Sequence, residues 1–497
     1  MDDSFGSSTA RRLVEGSRAL PIAAALAASV FFVHVPDFFR TIVSANEGLY
    51  AVVARELLNG HLPYVTAWEA KPPLFFVLIA AAMRVGGVSF APLHALSLLA
   101  GFCTAYCIYR IGIAFGENGA RIGFFAAVLT VALSAANKGT SVEAEVLINA
   151  FASAAFAVVA PCVTTRSLTL RSAFIAALLG GCALEMKITA LPTTLVAAAF
   201  ATFATSGALA LPVVFAGVLA PVVAGIVPYL AGGRIDAYID ANIGTVMRRG
   251  LVVAHPQPYE IARWEFEAFF PVWLLAPLAL ERRWNEAERS MGMMVVAWLA
   301  AAFVSLVAVR EFFSYHFITL TPPLCLLAAW GFFRTWTSVR AQRVALAIAI
   351  LTLVGHGIGR YMTLQQPDGE APAAAATRQL IAQHPGSLYV AEGDPALYIL
   401  TNEPIPTRFP YPQHLYAQDM QIAAHIDGIR EVHRIFETHP RYVALRRGGD
   451  NTMNVVLHLV YATVDRRYAG RASAGEYTIY ELRDANTGAT ATSGNRE

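Results

Sequence analysis

The chain has 497 residues, of which 56% are hydrophobic and only 14% are charged, and its mean hydropathy is +0.50. Soluble domains carry about a quarter charged residues, so this composition excludes an ordinary soluble enzyme and indicates that the bilayer is the main solvent. The net charge of +2, without long basic runs, gives no support for nucleic-acid binding.

Apolar segments long enough to cross a hydrocarbon core recur from residue 19 to about residue 362. The first, 19–36, has no small-residue cleavage site after it, so we interpret it as a retained helix and not as a signal peptide. A short segment, 73–87, begins at a proline pair, and whether it crosses is left open. The other predicted spans are 92–113, 119–136, 143–163, 171–187, 188–206, 208–232, 264–281, 290–308, 316–333 and 342–362.

The positions of arginine and lysine predict the orientation of these spans. Arginines before the first span place the amino terminus in the cytoplasm, and arginine clusters at 282–289 and 334–343 place those loops there too. Residues 37–71 and everything after about 363 are then predicted to lie outside the cytoplasm. Counts from the two ends agree only if 73–87 does not cross fully or if one other segment is misassigned.

The character of the sequence changes at about residue 363, where charges return and apolar runs shorten. We interpret residues 367–369 and the alanine run that follows as a linker. Strands are predicted near 387–391, 441–445 and 476–482, and helices near 415–427 and 429–438. The sequence therefore predicts a transmembrane domain over 1–362, a soluble α/β domain over 363–485 outside the membrane, and a disordered tail over 486–497.

The loop after the first span carries acid, base and aromatic side chains, which are costly to hold beside a bilayer. Asn46 is expected to cap a helix whose first turn holds Glu47, with Tyr50 on the same face. Glu69 and Lys71 precede a proline pair, and Lys71 is well placed there to hold a phosphate. A surface amphipathic helix and a snorkelling interfacial lysine remain as alternatives.

Two further outer segments carry candidate groups. Glu143 and Glu145 lie at the outer end of a span, where they could bind a metal, orient an acceptor or only cap the next helix. Two carboxylates are too few to define a metal site. Arg310 suits phosphate binding and His316 suits acid–base chemistry, although an ordinary interfacial belt explains them equally well. The five cysteines lie in apolar runs, so we expect packing residues and no disulfide framework.

Residues 46–74, NEGLYAVVARELLNGHLPYVTAWEAKPPL, resemble the first periplasmic loop of the GT-C superfamily of glycosyltransferases. These enzymes use dolichyl- or undecaprenyl-phosphate sugars and include lipid A aminoarabinose transferases, protein O-mannosyltransferases and lipopolysaccharide galacturonosyltransferases. Their pattern is an Asp-Glu pair, a nearby Tyr, a G..PY turn and a Lys-Pro pair. The resemblance implies an α-helical polytopic membrane protein with about 11–13 transmembrane helices and a small C-terminal α/β extracytoplasmic domain.

The resemblance also implies roles for single residues. The first acid of the family pair is the candidate catalytic base, but this chain has Asn46 there, and an amide cannot take a proton. Glu47 is therefore the preferred base; otherwise the chain is impaired or differently organised. Lys71 matches the lysine that holds the donor phosphate. The other candidate substrate contacts are Tyr50, Tyr64, Glu69, Glu143, Glu145, Arg310 and His316.

The implied activity moves a sugar from a polyprenyl-phosphate carrier to a hydroxyl of a glycolipid, lipopolysaccharide, polysaccharide or protein. It would take place on the outer face of a bacterial inner membrane, with no certain cofactor and a divalent metal left open. The rival interpretation is a transporter or lipid flippase, which Glu185 and Lys187 in an apolar stretch support. An assembly scaffold would leave Glu47 and Lys71 unexplained.

Overall fold

The computed structural model describes residues 20–116, 118–249, 258–281, 284–309, 312–448 and 454–483. The arginines before the first span, the candidate Arg310 and the predicted tail over 486–497 lie outside these residues.

The membrane part is a bundle of helices joined by short turns. Its helices are α1 (Leu20–Phe39), α2 (Ala45–Leu58), α3 (Pro73–Gly86), α4 (Ala91–Ile113), α5 (Gly119–Ala136), α6 (Ala144–Val159), α7 (Leu170–Leu184), α8 (Leu191–Ala204), α9 (Ala210–Ala231), α10 (Ile235–Ile239), α11 (Thr245–Arg249), α12 (Pro258–Ala268), α13 (Phe270–Leu275), α14 (Glu286–Val309), α15 (Thr321–Thr335) and α16 (Val339–Met362). A π-helical turn, Asp240–Gly244, joins α10 to α11.

Eight helices in the described part of the chain are long and apolar enough to cross a membrane, and four apolar helices are shorter. One of the shorter helices is Pro73–Gly86, whose 14 residues span about 21 Å at the usual helical rise, less than a hydrocarbon core. The prediction of a polytopic helical membrane protein is therefore confirmed, and the twelve predicted segments all appear as apolar helical stretches.

One predicted span has a different form. Residues 264–281 are not one helix, because α12 ends at Ala268, α13 covers Phe270–Leu275, and a 3-10 turn follows over Ala276–Ala279. Pro271 and Pro277 stand at the starts of the second and third pieces. Proline lacks the backbone N–H and clashes with the preceding turn, so a continuous helix is broken at these points.

The C-terminal part forms a four-stranded sheet covered by helices. In chain order it contains α17 (Glu370–Gln383), β1 (Leu388–Val390), α18 (Ala396–Thr401), α19 (Gln413–Tyr416), α20 (Gln418–Ala424), α21 (Gly428–Glu437), β2 (Tyr442–Arg446), α22 (Val455–Arg467), β3 (Tyr468–Ala474) and β4 (Tyr477–Leu482). The strand order is β1-β2-β4-β3; β1 and β2 are parallel, and the other pairs are antiparallel.

The three predicted strands are β1, β2 and β4, and the small α/β region is confirmed. The alanine run that we expected in a linker forms α17 instead, because alanine has the highest helix propensity. Sequence patterns also missed α22 and the edge strand β3, whose residues are mostly half-buried or exposed and do not alternate clearly.

The C-terminal region packs directly on α2. A Cβ added to Gly48 would overlap the carboxylate of Asp394, so glycine is required for this close approach. Arg55 donates to the carbonyls of Tyr398 and Glu403, each at 2.9 Å. The helix with Asn46 and Glu47 is thus held between the membrane helices and the α18 part of the C-terminal region.

Candidate active site

The amino end of α2 differs from expectation in its cap. Ser44 is the N-cap residue and accepts from the backbone N–H of Asn46 at 3.4 Å, so Asn46 lies in the first turn and is not the cap. The Asn46 amide nitrogen lies 3.1 Å from each carboxylate oxygen of Glu143 and donates to this group. The position that holds an acid in the resembled family therefore carries a donor toward a second carboxylate.

Glu143 receives hydrogen bonds from several side chains. Ser44 Oγ donates to Glu143 at 2.5 Å, and the Tyr50 hydroxyl lies 3.5 Å from its other oxygen. Glu143 stands at the N-cap position of α6, but its side chain makes no capping bond to any described residue. It is 1% exposed, and burial raises the pKa of this carboxyl while the Ser44 and Asn46 hydrogen bonds oppose the shift. A carboxylate with a raised pKa suits proton acceptance near neutral pH.

Glu47 is fully buried, and protein donors occupy both of its oxygens. One oxygen accepts from the backbone N–H of Val43 at 2.8 Å and lies 3.3 Å from His94 Nε2. The other accepts from the backbone N–H of Val142 at 3.2 Å. Glu47 therefore ties the start of α2 to α4 and to the loop that carries Glu143.

The first cation of the site lies in what we call the Lys71 group, namely Lys71, Glu69 and His414. Lys71 Nζ donates to Glu69 at 2.7 Å, and His414 Nε2 lies 3.6 Å from the other Glu69 oxygen. Burial opposes ionisation of Glu69, but Lys71 and His414 outweigh it and lower the pKa of this carboxyl. Lys71 also lies 5.6 Å from the centre of the Tyr50 ring. Lys71 therefore lies between the Glu69 carboxylate and the Tyr50 ring.

The second cation lies in the Lys187 group, namely Lys187, Glu145 and His316. Lys187 Nζ donates to Glu145 at 2.6 Å and lies 3.1 Å from His316 Nε2. Lys187 precedes the 3-10 turn Ile188–Ala190, so it lies at the junction of two helices and not inside one. Lys187 therefore contacts two of the predicted candidates, Glu145 and His316.

The Lys71 group, the Lys187 group, Glu143 and Tyr50 lie close together, and we call them the polar cluster. The charge of Glu143 interacts with both Lys71 and Glu145, and the surroundings of Tyr50 include Glu69, Glu143 and Glu145. Lys71 and Lys187 remain 11% and 13% exposed at their side chains, whereas their carboxylate partners are buried. Both lysine side chains are therefore slightly more exposed than the carboxylates with which they pair.

Tyr64 lies beside this cluster and not in it. Its φ of 69° is left-handed, and its hydroxyl donates to the backbone carbonyl of Lys71 at 2.5 Å. Its ring stacks on Tyr229 and meets Tyr238 edge-on. Tyr64 thus fixes the backbone at Lys71 from behind, while Arg310 lies outside the described residues.

The C-terminal region supplies groups that sequence patterns did not identify. The backbone N–H of Trp68 donates to Arg408 O at 2.7 Å, and the Trp68 ring packs edge-on against His414 at 4.9 Å. Arg249 at the end of α11 interacts electrostatically with both His316 and His414. No local signal marks His414, because it reaches Glu69 only through the tertiary fold.

An apolar groove begins two residues after Lys71. Its volume is about 380 Å³, and it lies between α2, α3, α7 and α9. Its lining residues are almost all apolar: Leu57, Leu62, Pro63, Pro73, Leu74, Val77, Cys182, Pro221, Ala224, Gly225, Pro228 and Tyr229. A groove of this composition suits a hydrocarbon chain whose polar end lies near Lys71.

The described side chains do not form a metal centre: no three or more His, Cys, Asp or Glu residues among them cluster as ligands. The three carboxylates of the polar cluster are each paired with a lysine or with neutral donors. The arrangement offers cations for an anionic leaving group and a buried carboxylate for a proton, with a lipid-compatible groove alongside.

No protein-family model matches the sequence, and no curated protein matches it significantly. Solved structures do match. ArnT from Cupriavidus metallidurans bound to undecaprenyl phosphate is 14% identical, with a TM-score of 0.61 over 94% of this chain and 98% of that chain. The Archaeoglobus fulgidus oligosaccharyltransferase is 12% identical, with a TM-score of 0.52 over 86% of this chain and 69% of that one.

The arabinofuranosyltransferase AftD from Mycobacteria is 14% identical with a TM-score of 0.54, and the match covers 94% of this chain but 42% of AftD. All three neighbours are GT-C glycosyltransferases. The identities are too low to transfer substrates, but the architecture agrees over nearly the whole chain. The chain is therefore a multi-pass membrane protein with the GT-C glycosyltransferase fold, as the loop resemblance predicted.

Proposed function

We propose that this protein is a glycosyltransferase that moves a sugar from a polyprenyl-phosphate carrier to an acceptor hydroxyl. The observation that carries the proposal is the position of Lys71, a partly exposed cation between the apolar groove that starts at Pro73 and the buried carboxylate of Glu143. A lipid phosphate needs both a groove and a cation, and the acceptor needs a base nearby. The similar ArnT structure holds undecaprenyl phosphate.

Glu143 is the better candidate for the base than Glu47, which the sequence favoured. Every described hydrogen bond of the Glu47 carboxylate is with a backbone amide or with His94, so neither of its oxygens is directed toward a substrate. Glu143 accepts from side chains that line the open cluster, and Asn46 among them is partly exposed. Because burial raises the pKa of Glu143, it binds a proton more readily than a solvated carboxylate.

The reaction is a displacement at the sugar carbon that bears the phosphate. Glu143 removes the proton from the acceptor hydroxyl, the oxygen forms a bond to that carbon, and the carbon–oxygen bond to the phosphate breaks. The electron pair leaves with the phosphate, whose added negative charge the Lys71 ammonium stabilises. Tyr64 and Glu69 keep Lys71 in position, through its backbone and its ammonium respectively.

The transporter interpretation depended on Glu185 and Lys187. Lys187 belongs to the polar cluster, where it pairs with Glu145 at 2.6 Å. Glu185 follows α7 and lies beside Gly225 at the apolar groove. Two groups with different neighbours do not form one ion pathway, so no observation favours transport over glycosyl transfer.

The activity is tested with membranes that contain or lack the protein. They are incubated with a panel of labelled undecaprenyl- and dolichyl-phosphate sugars, and labelled product and released lipid phosphate are both measured. We expect release of lipid phosphate from at least one donor that depends on the protein. Absence of donor binding and of release across the panel would contradict the proposed activity.

The proposal also places the site on the outer face of a bacterial inner membrane. Val455 is 68% exposed on the C-terminal region, and Ser167 is exposed in the predicted cytoplasmic loop after α6. In intact spheroplasts, a membrane-impermeant maleimide should label Val455→Cys and leave Ser167→Cys unlabelled. The opposite labelling pattern would place the reaction on the cytoplasmic side.

A further inference from the structure

The Lys71 and Lys187 groups have the same composition and similar distances to the carboxylate, but Lys187 and His316 share one Glu145 oxygen whereas Lys71 and His414 contact different oxygens of Glu69. The ammonium–carboxylate distances are 2.7 Å and 2.6 Å, and the imidazole–carboxylate distances are 3.6 Å and 3.7 Å. In both groups the imidazole Nδ1 is buried and has no hydrogen-bond partner within the described part of the chain. An aromatic ring lies near each ammonium, Tyr50 at 5.6 Å and Tyr315 at 6.0 Å.

The Lys187 group differs from an ordinary structural ion pair. A buried ion pair is by itself weak evidence for a stabilising role, because the desolvation of its two charges can exceed their mutual attraction. Here Glu145 and His316 are buried, but the Lys187 side chain remains 13% exposed. An ammonium has three N–H donors, and the described partners of Lys187 use two of them, one to Glu145 and one to His316.

Both cations and carboxylates surround this group, and Glu145 itself interacts with the charge of Glu143. Both Lys71 and Arg249 interact electrostatically with His316, in addition to Lys187 itself. A small cavity behind the group is bordered by Glu145 and His316 and by the hydroxyl side chains Thr189, Thr193, Ser305 and Thr319. The site thus combines an ammonium whose described partners use two of its three donors with neighbouring cations and a polar cavity.

We propose that the Lys187 group is a second anion subsite, which binds a phosphate or carboxylate of a substrate while the Lys71 group holds the donor phosphate. This inference rests on the proposed glycosyl transfer and deepens it, because it requires one of the two substrates to carry an additional negative charge. The charge has two sources with the same chemistry. It belongs either to the acceptor, as a phosphate or carboxylate near the hydroxyl, or to the transferred sugar, as a uronic acid.

The test uses the full chain in nanodiscs saturated with undecaprenyl phosphate, titrated with inorganic phosphate or with glucuronate. We expect one further anion to bind to the saturated protein. Lys187→Met should weaken this second binding at least tenfold and leave undecaprenyl phosphate binding within about twofold, since an ammonium–anion hydrogen bond is lost at one subsite only. Lys71→Met should do the reverse.

Two variants separate an anion subsite from a structural ion pair. Glu145→Gln keeps the shape and removes the competing charge, so it should tighten the second anion about fivefold, which a purely structural role would not do. The double variant Glu145→Gln with Lys187→Met removes both charges together and avoids leaving a buried carboxylate unpaired. It should fold like the parent and lack the second binding.

The outcomes are distinguishable. Preference for phosphate assigns the charge to a phosphate-bearing acceptor, and preference for glucuronate assigns it to a carboxylate, which labelled uronic-acid donors then place on the sugar or the acceptor. Second-anion binding unchanged in Lys187→Met, or absent in the parent, overturns the subsite while donor binding at Lys71 still stands. Loss of undecaprenyl phosphate binding in the parent would instead overturn the proposed function.

Discussion

Two buried carboxylates lie at the amino end of α2, Glu47 in its first turn and Glu143 at the start of α6, and their surroundings differ. Glu47 is enclosed completely and is held by the backbone amides of Val43 and Val142. Glu143 is held by side chains, namely Ser44, Asn46 and Tyr50. Backbone amides are fixed by the fold and make a carboxylate a permanent anchor. Side-chain donors can rearrange when a substrate arrives and can leave the carboxylate free to take a proton.

A residue can keep its position in a sequence motif and still have a different chemical role. Glu47 occupies the second position of the family pair, yet its contacts join α2 to α4 through His94 and to the acidic loop. Asn46 replaces the first acid and donates to Glu143. In this chain the proton-accepting charge is therefore proposed to have moved from α2 to the start of α6.

The largest expected effect comes from Glu143→Gln. The amide keeps the shape and cannot accept the acceptor proton, so turnover should fall by about 10²- to 10⁴-fold. Binding of undecaprenyl phosphate should stay near that of the parent and shows that the variant is folded. Turnover is measured as the rate at which lipid phosphate is released. A Glu143→Gln enzyme with more than a tenth of parental turnover would return the base role to another group.

Lys71→Met should weaken binding of undecaprenyl phosphate by about 10- to 100-fold, because a charge-assisted hydrogen bond to the phosphate is lost. Binding is measured by titration in nanodiscs. Lys138→Met is the matched control, since Lys138 is exposed five residues before Glu143 and has no part in the polar cluster. Equal binding losses in both variants would mean that Lys71 contributes only general positive charge.

Gly48→Ala tests the contact between α2 and the C-terminal region. The added methyl would overlap the Asp394 carboxylate, so the two parts must separate, at a cost of about 1–3 kcal/mol of unfolding free energy. Gly355→Ala in α16 is the control, because no atom lies within 4 Å of its added Cβ. Thermal unfolding in detergent should show a lower midpoint for the first variant. Equal midpoints would show that the close packing is not required.

Glu47→Gln should lower stability and largely spare chemistry. The glutamine amide has only one acceptor oxygen, so it cannot accept from both backbone N–H groups and His94. We therefore expect a loss of about 1–3 kcal/mol of unfolding free energy. The folded fraction should keep turnover within about tenfold of the parent. A loss of turnover as large as that in Glu143→Gln, at parental stability, would restore Glu47 as the base.

Much of the fold could be predicted because membrane helices are recognisable from the local hydrophobicity of the sequence. Long apolar runs gave the spans, and the strands β1, β2 and β4 followed from short β-rich segments. The breaks in the span 264–281 were not predicted, because hydropathy alone does not account for the effect of Pro271 and Pro277 on the backbone. The helix α17 was not predicted because the turn-forming residues 367–369 directly before the alanine run indicated a linker.

The structure brings six of the candidate residues together. Tyr50, Glu69, Lys71, Glu143, Glu145 and His316 all meet at the polar cluster, although they come from four separate stretches of sequence. Their partners could not be predicted, because His414 and Lys187 lie far away along the chain and pair only in the tertiary structure. Sequence also cannot show that backbone amides surround Glu47, on which the proposal of an anchoring role rests.

The most direct test of the central claim leaves Glu143 intact and changes its proton affinity. Burial already raises the pKa of Glu143, and its base form is deprotonated, so kcat/KM should rise with pH through that pKa. Asn46→Asp replaces a donor 3.1 Å away with a second carboxylate, which raises the pKa of the pair further. The account predicts that the acidic limb of the kcat/KM profile moves to higher pH in Asn46→Asp. A limb that stays at the parental pH would contradict Glu143 as the base.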